Sequence, residues 1–198
     1  MSDASAKTPG ARRAWVRLGF RAEPVPAEPA SDSDAFRNSA EKMLRDDNVA
    51  VVFGGWTSAS RRAMLPVFEK LNGLLFYPAH FEGQESSRNI FYTGAVPNQQ
   101  MIPALRYLAS RQGGGVKRWF LLGTDQVYSH TANAILEAYL RNAGVADEDI
   151  MLRYVPFSVP SWEVTVGEIR SFAASGKKTA VISTVNGDTI RTLDGDDV

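Results

Sequence analysis

Six short apolar runs set the terms of this chain's fold: VAVVF (49–53), GLLFY (73–77), IFYTG (90–94), VKRWFLLG (116–123), IMLRYVPF (150–157) and KTAVIST (178–184). VAVVF and GLLFY lack the alternation of a half-exposed strand and read as strands buried on both faces of a parallel sheet. Between the runs, apolar residues recur at helical spacing. DSDAFRNSAEKMLRDDN carries Phe36, Ala40, Met43 and Leu44 on one face, with Asn48 as a stop. SASRRAMLPVFEKLN reads as a helix with Ser58 near its N-cap and Pro66 as a kink point. PNQQMIPALRYLASRQ, HTANAILEAYLRNAG and SWEVTVGEIRSFAASG complete the series. Strand and helix alternate through short connections, the pattern of an α/β fold with right-handed crossovers and mainly parallel sheet. The spacing fits two sheets, dividing around residues 110–116, with the Gly-rich RQGGGVK at the boundary.

Composition excludes several functions. Lys plus Arg equals Asp plus Glu at 22 each, so no net field draws the 198-residue chain to nucleic acid or an anionic membrane. With no cysteine there is no disulfide, thiolate metal site or Cys nucleophile. The apolar block after Arg12 and Arg13 is broken by Arg17 and Arg21 before it becomes a signal-peptide core, and no run approaches the roughly 20 apolar residues that span a bilayer. Residues 1–33, rich in Pro, Ala and scattered charge, read as a poorly ordered tail or linker.

Chemistry is expected where strands end. In open α/β sheets, ligands bind beyond the carboxyl ends of strands. There the sequence places GGWTSAS, YPAHFEG, GTDQVYSH and STVNGD, four loops rich in hydroxyls, amides and aromatic rings. Gly54 and Gly55 permit close backbone approach, a helix start offers N–H donors, and Trp56 supplies an apolar wall. Together they describe a pocket for a small, polar, uncharged solute. Taken singly, each residue also has a structural role open to it: Ser58 or Asp125 as helix caps, Trp56 and Tyr77 as core, Asn186-Gly187 as a turn. Enzyme motifs are missing. There is no Walker-type phosphate loop and no G-x-S-x-G elbow; His80 and His130 match no zinc-binding spacing, and nothing in the sequence pairs Glu82 with Asp125 as acid and base. No cofactor is expected.

The loops also carry a family likeness. VVFGGWTSASRRAMLPVFEKLNGLLFYPAHFEGQESSRNIFYTGAVPNQQMIPALRYL, then KRWFLLGTDQVY, TAN and KTAVISTVNGD, resemble the urea and short-chain amide substrate-binding proteins of ABC transporters, a type I periplasmic-binding family related to the amide-sensing regulator of amidase operons. The resemblance covers about residues 28–188. It implies two lobes of parallel sheet flanked by helices, closing on a small uncharged amide of the urea, acetamide and formamide class, with ABC permease subunits as partners and the periplasm or cell envelope as location. It carries over Trp56, Thr57, Ser58 and Tyr77 as ligand-binding residues from the first lobe, with Tyr128 and Thr184 from the second. The lobes expected are 34–112 and 113–188, both partial, with 189–198 a tail outside the resemblance. Gly55, His80, Phe81, Gln126, Ser129, His130, Val159 and Pro160 depart from the family pattern, several beside the pocket. Family members are about twice as long, so the chain reads as truncated at both ends. Three expectations follow: a transporter's solute-binding component, an amide-sensing regulator acting through a protein partner, or a non-binding remnant. All three are non-enzymatic.

Overall fold

The computed structural model describes residues 23–29, 32–158 and 161–186. The expected tail up to residue 22, the altered Val159-Pro160, the Gly187-Asp188 end of STVNGD and the 189–198 tail lie outside the described residues.

Helix α1 (Ser33–Arg45) starts where the Asp32 carboxylate accepts the Ala35 N–H at 2.8 Å, and Asn48 beyond it takes a left-handed turn at φ 50°. Strand β1 (Val52–Phe53) is shorter than the expected 49–53 and is not buried on both faces, since Phe53 is 72% exposed. The reason is local: the Val49 N–H is drawn back to the Met43 carbonyl of α1 at 3.0 Å, and β1 pairs with one neighbour only. Helix α2 (Ser58–Leu71) runs unbroken through Pro66 and ends at Asn72, whose φ of 51° turns the chain. It leads to β2 (Leu75–Tyr77), and β2 to β3 (Ile90–Tyr92). The three strands form one parallel sheet in the order β1-β2-β3. The β2–β3 crossover holds no helix; its place is taken by the loop of residues 78–89. Ala40, Met64, Phe68, Leu75 and Tyr77 form the core on one side of this sheet. On the sheet, Phe53, Phe76 and Phe91 stack in register with centroids 5.0 and 4.6 Å apart.

Helix α3 (Met101–Ala109) leads to a second parallel sheet of β4 (Arg118–Thr124), β5 (Ile150–Val155) and β6 (Thr179–Thr184), in the order β5-β4-β6. Helix α4 (Val127–Asn142) links β4 to β5, and α5 (Glu163–Ala173) links β5 to β6. A short 3-10 turn over Asp147–Asp149, not expected from the sequence, precedes β5. Trp119 and Leu121 face Leu136, Leu140 and Leu105, while Phe120 and Leu122 face Val155, Ile169 and Phe172. Residues 119–122 are at most 1% exposed, and each such Leu or Phe contributes about 1.5–3 kcal/mol by leaving water. Because β5 and β6 flank β4 on opposite sides, strand order reverses at the carboxyl end of β4, where an α/β sheet opens a crevice. No helix among the described residues is long and apolar enough to cross a membrane.

Candidate functional site between the strand ends

The loop after β1 enters α2 through two glycines at positive φ, Gly54 and Gly55. Gly55 has φ 85°, and a Cβ there would press on the Met64 methyl at 3.0 Å and the Tyr77 ring at 3.1 Å. The helix is capped by Thr57 rather than Ser58. Thr57 Oγ1 accepts the Ser60 N–H at 3.0 Å, and Ser60 Oγ accepts the Thr57 N–H at 3.2 Å, a reciprocal capping box. Relieved of that role, Ser58 turns inward and is 4% exposed.

Beneath it lies a buried ion cluster that the sequence reading did not anticipate. Arg61 is fully buried. Its Nη1 donates to Ser58 Oγ at 3.3 Å, Nη2 to Glu82 Oε2 at 3.0 Å and Nε to Glu85 Oε1 at 2.9 Å. The Tyr92 hydroxyl donates to the same Glu85 oxygen at 2.7 Å, and the guanidinium lies 5.0 Å from the Tyr77 ring centroid and 5.4 Å from that of Phe81. Burial works to raise the Glu82 pKa, yet the Ser58 hydroxyl, its own backbone N–H and Arg61 outweigh it and hold the carboxyl below its usual range. Glu82 is therefore an ionised carboxylate, 2% exposed, with one oxygen bound to Arg61. Its other oxygen, Oε1, is buried without a hydrogen-bond partner.

The second sheet supplies the facing wall. Tyr128, in the first turn of α4, meets His80 of the 78–89 loop edge to face at 4.7 Å. Burial, then the nearby Glu82 charge and Tyr77, push the Tyr128 phenol up to about 12. Ser58, Tyr77, Glu82 and Tyr128 are thus gathered at the carboxyl ends of β1, β2 and β4. A polar network braces that wall from inside. Ser129 Oγ donates to the Thr184 carbonyl at 2.7 Å, and the Thr184 hydroxyl lies 3.2 Å from both the Leu122 carbonyl and Asn133 Oδ1. Two broader depressions lie elsewhere: one of about 570 Å³ along Glu69 and Ser86–Asn89, another of about 440 Å³ over Trp119, Leu105 and Tyr139. Neither is lined by these strand-end residues. Among the described residues no group of three His, Cys, Asp or Glu side chains is placed to hold a metal.

A family model described as Periplasmic binding protein domain matches residues 15–193. The chain belongs to that family. It is a family of binding proteins and not of enzymes, in agreement with the sequence reading. Solved structures share its fold. The chain is similar to an ABC transporter substrate-binding protein from Sphaerobacter thermophilus at 18% identity and TM-score 0.69, covering 86% of this chain and 47% of the other. It is similar to a solute binding protein of an ABC transporter from Rhodopseudomonas palustris, in complex with 3,4-dihydroxy benzoic acid, at 19% identity and TM-score 0.68, covering 87% and 48%. A third is the branched-chain amino acid transporter substrate binding protein LivJ from Streptococcus pneumoniae, in complex with isoleucine, at 14% identity and TM-score 0.62, covering 80% and 44%. The chain spans less than half the length of each of these periplasmic-binding relatives.

Within this family fold the six expected residues divide. Ser58, Tyr77 and Tyr128 are brought together. Tyr77 is wholly buried, and its hydroxyl donates to the Trp56 carbonyl at 2.9 Å, so it shapes the glycine loop as well as the crevice. The Trp56 ring is 77% exposed, outside the core. Thr57 caps α2, and the Thr184 hydroxyl is bonded to the Leu122 carbonyl and Asn133 Oδ1. Asp125 does not cap α4: the N-cap position belongs to Gln126, and Asp125 Oδ1 sits 2.7 Å from His130 Nε2, with the His130 ring stacked on Tyr154 at 3.9 Å. Arg61 and Glu85 were missed. The available signal was a charge on the apolar stripe of α2, where Arg61 precedes Met64 and Phe68 by three and seven residues.

Proposed function

We propose that this chain is the solute-binding component of an ABC transporter for urea or a short-chain amide, working in the periplasm and delivering its ligand to permease subunits. The ligand sits between the first-sheet group of Ser58, Tyr77 and Glu82 and the second-sheet Tyr128. Trp56 lies at the rim, with Thr57 and Thr184 holding the walls. The observation that carries this reading is the buried, ionised Glu82 with its unpartnered Oε1, an acceptor waiting for an N–H donor. The same carboxylate argues against ligands of the kind held by the relatives. Isoleucine and dihydroxybenzoate both carry a carboxylate that needs a cation or donors of its own, and Arg61 is already bound by Glu82 and Glu85. A small amide brings N–H groups to Glu82 and leaves its carbonyl for the Tyr128 hydroxyl, with aromatic walls excluding water. Contacts to both sheets at once would favour a closed form.

Thermal unfolding with and without millimolar acetamide, formamide and urea tests this. A ligand at about 100 times its dissociation constant adds about 2.7 kcal/mol, which raises the midpoint of a chain this size by about 5–10 °C. A saturable rise with an amide or urea is the expected result. Stabilisation by isoleucine or dihydroxybenzoate alone would overturn the amide assignment, and no shift with any of them would overturn binding itself.

A further inference from the structure

The strand-end cluster holds one carboxylate oxygen without a partner. Glu82 Oε1 is without a partner, while Arg61 Nε, Nη1 and Nη2 are committed to Glu85, Ser58 and Glu82, and the Tyr77 hydroxyl to the Trp56 carbonyl. The charge count leans the same way. One buried guanidinium serves two carboxylates, and Arg62 approaches Glu85 at 3.8 Å from a side chain 45% exposed. Such a site suits a planar ligand that carries N–H donors in every direction and a positive charge.

Resting on the reading above, we infer that the site prefers a protonated amidine, the class of acetamidinium and guanidinium, to the neutral amide of the same shape. Replacing the carbonyl oxygen by NH2 puts a positive charge on the ligand beside the Glu82 carboxylate. It adds a donor that the free Glu82 oxygen and the Tyr128 oxygen accept, with the Glu82 contact now charge-assisted. Acetamide and acetamidinium have the same heavy-atom count and planarity, so shape does not distinguish them.

Isothermal titration of the 198-residue chain with acetamidinium, guanidinium, acetamide and urea at matched ionic strength tests the inference. Acetamidinium is expected to bind at least about tenfold more tightly than acetamide, a difference of about 1.4 kcal/mol. Glu82→Gln should abolish that preference, with circular dichroism checking that the variant folds. The wild-type ranking decides the matter even if the variant does not fold. Acetamide or urea binding as tightly as the amidines overturns this inference and leaves the amide-binding function standing. No binding by any of the four overturns both.

Discussion

Replacing Arg61 by Met keeps an unbranched apolar stem and deletes the guanidinium from a cluster where Arg61 is fully buried and Glu82 is 2% exposed. Glu82 would retain the Ser58 hydroxyl and its own backbone N–H but lose its ion partner. Removing one member of a buried pair costs about 3–5 kcal/mol, because the other charge stays behind. Glu82 can limit that cost by taking up a proton. From an ordinary glutamate value of about 4.3, protonation at pH 7 costs about 3.7 kcal/mol, and at pH 5 only about 1 kcal/mol. The sign follows. In the wild type the depressed carboxyl contributes stability above the unfolded value, lost as pH falls through the folded one; in the variant a raised carboxyl destabilises above about 4.3, and acid relieves it. At about 2–4 °C per kcal/mol, Arg61→Met should lower the midpoint by about 8–15 °C at pH 7 and by about 2–4 °C at pH 5. Thermal unfolding followed by far-ultraviolet circular dichroism reads both. Equal shifts at the two pH values, or less than about 2 °C at pH 7, would refute the reasoning.

Thr57→Ala removes the hydroxyl that caps α2 and should cost about 1 kcal/mol, measured as a fall in the thermal midpoint of about 2–4 °C. Thr184→Val strips a buried hydroxyl from Asn133 and the Leu122 carbonyl and should destabilise by about 1–3 kcal/mol; once corrected for folding, ligand affinity measured by titration calorimetry should change little, since the side chain faces inward. Because the Tyr128 phenol is pushed up to about 12, its hydroxyl should stay protonated and ligand-induced stabilisation should hold from pH 7 to 10; a loss centred near 10 would mark an ordinary phenol.

The architecture was legible because parallel α/β folds write themselves locally. The run RWFLLGT is buried almost throughout, and its neighbours fall into register on either side of it. VAVVF was overread because pairing depends on what lies beside a strand, and Val49 is held by α1 instead. Of the strand-end residues named, Ser58 and Tyr77 lie against Arg61, and Tyr128 against His80 of the neighbouring loop. Glu82 was visible as a residue but not as a charge, since Arg61 lies 21 positions away and only the crossover loop brings them together. The cap of α2 falls on Thr57 rather than Ser58 because a cap is chosen by backbone angles that adjacent hydroxyl residues do not reveal. Thr184 has the residue type of a ligand contact, and only the burial of its hydroxyl against Asn133 separates support from contact.

A crystal structure of the chain grown with acetamide tests the central claim most directly. Ligand density is expected between the two sheets, with a ligand nitrogen about 2.7–3.1 Å from Glu82 Oε1 and the Tyr128 ring on its other side. Acetamide bound elsewhere, or an empty crevice with Glu82 Oε1 still unpartnered, would contradict it.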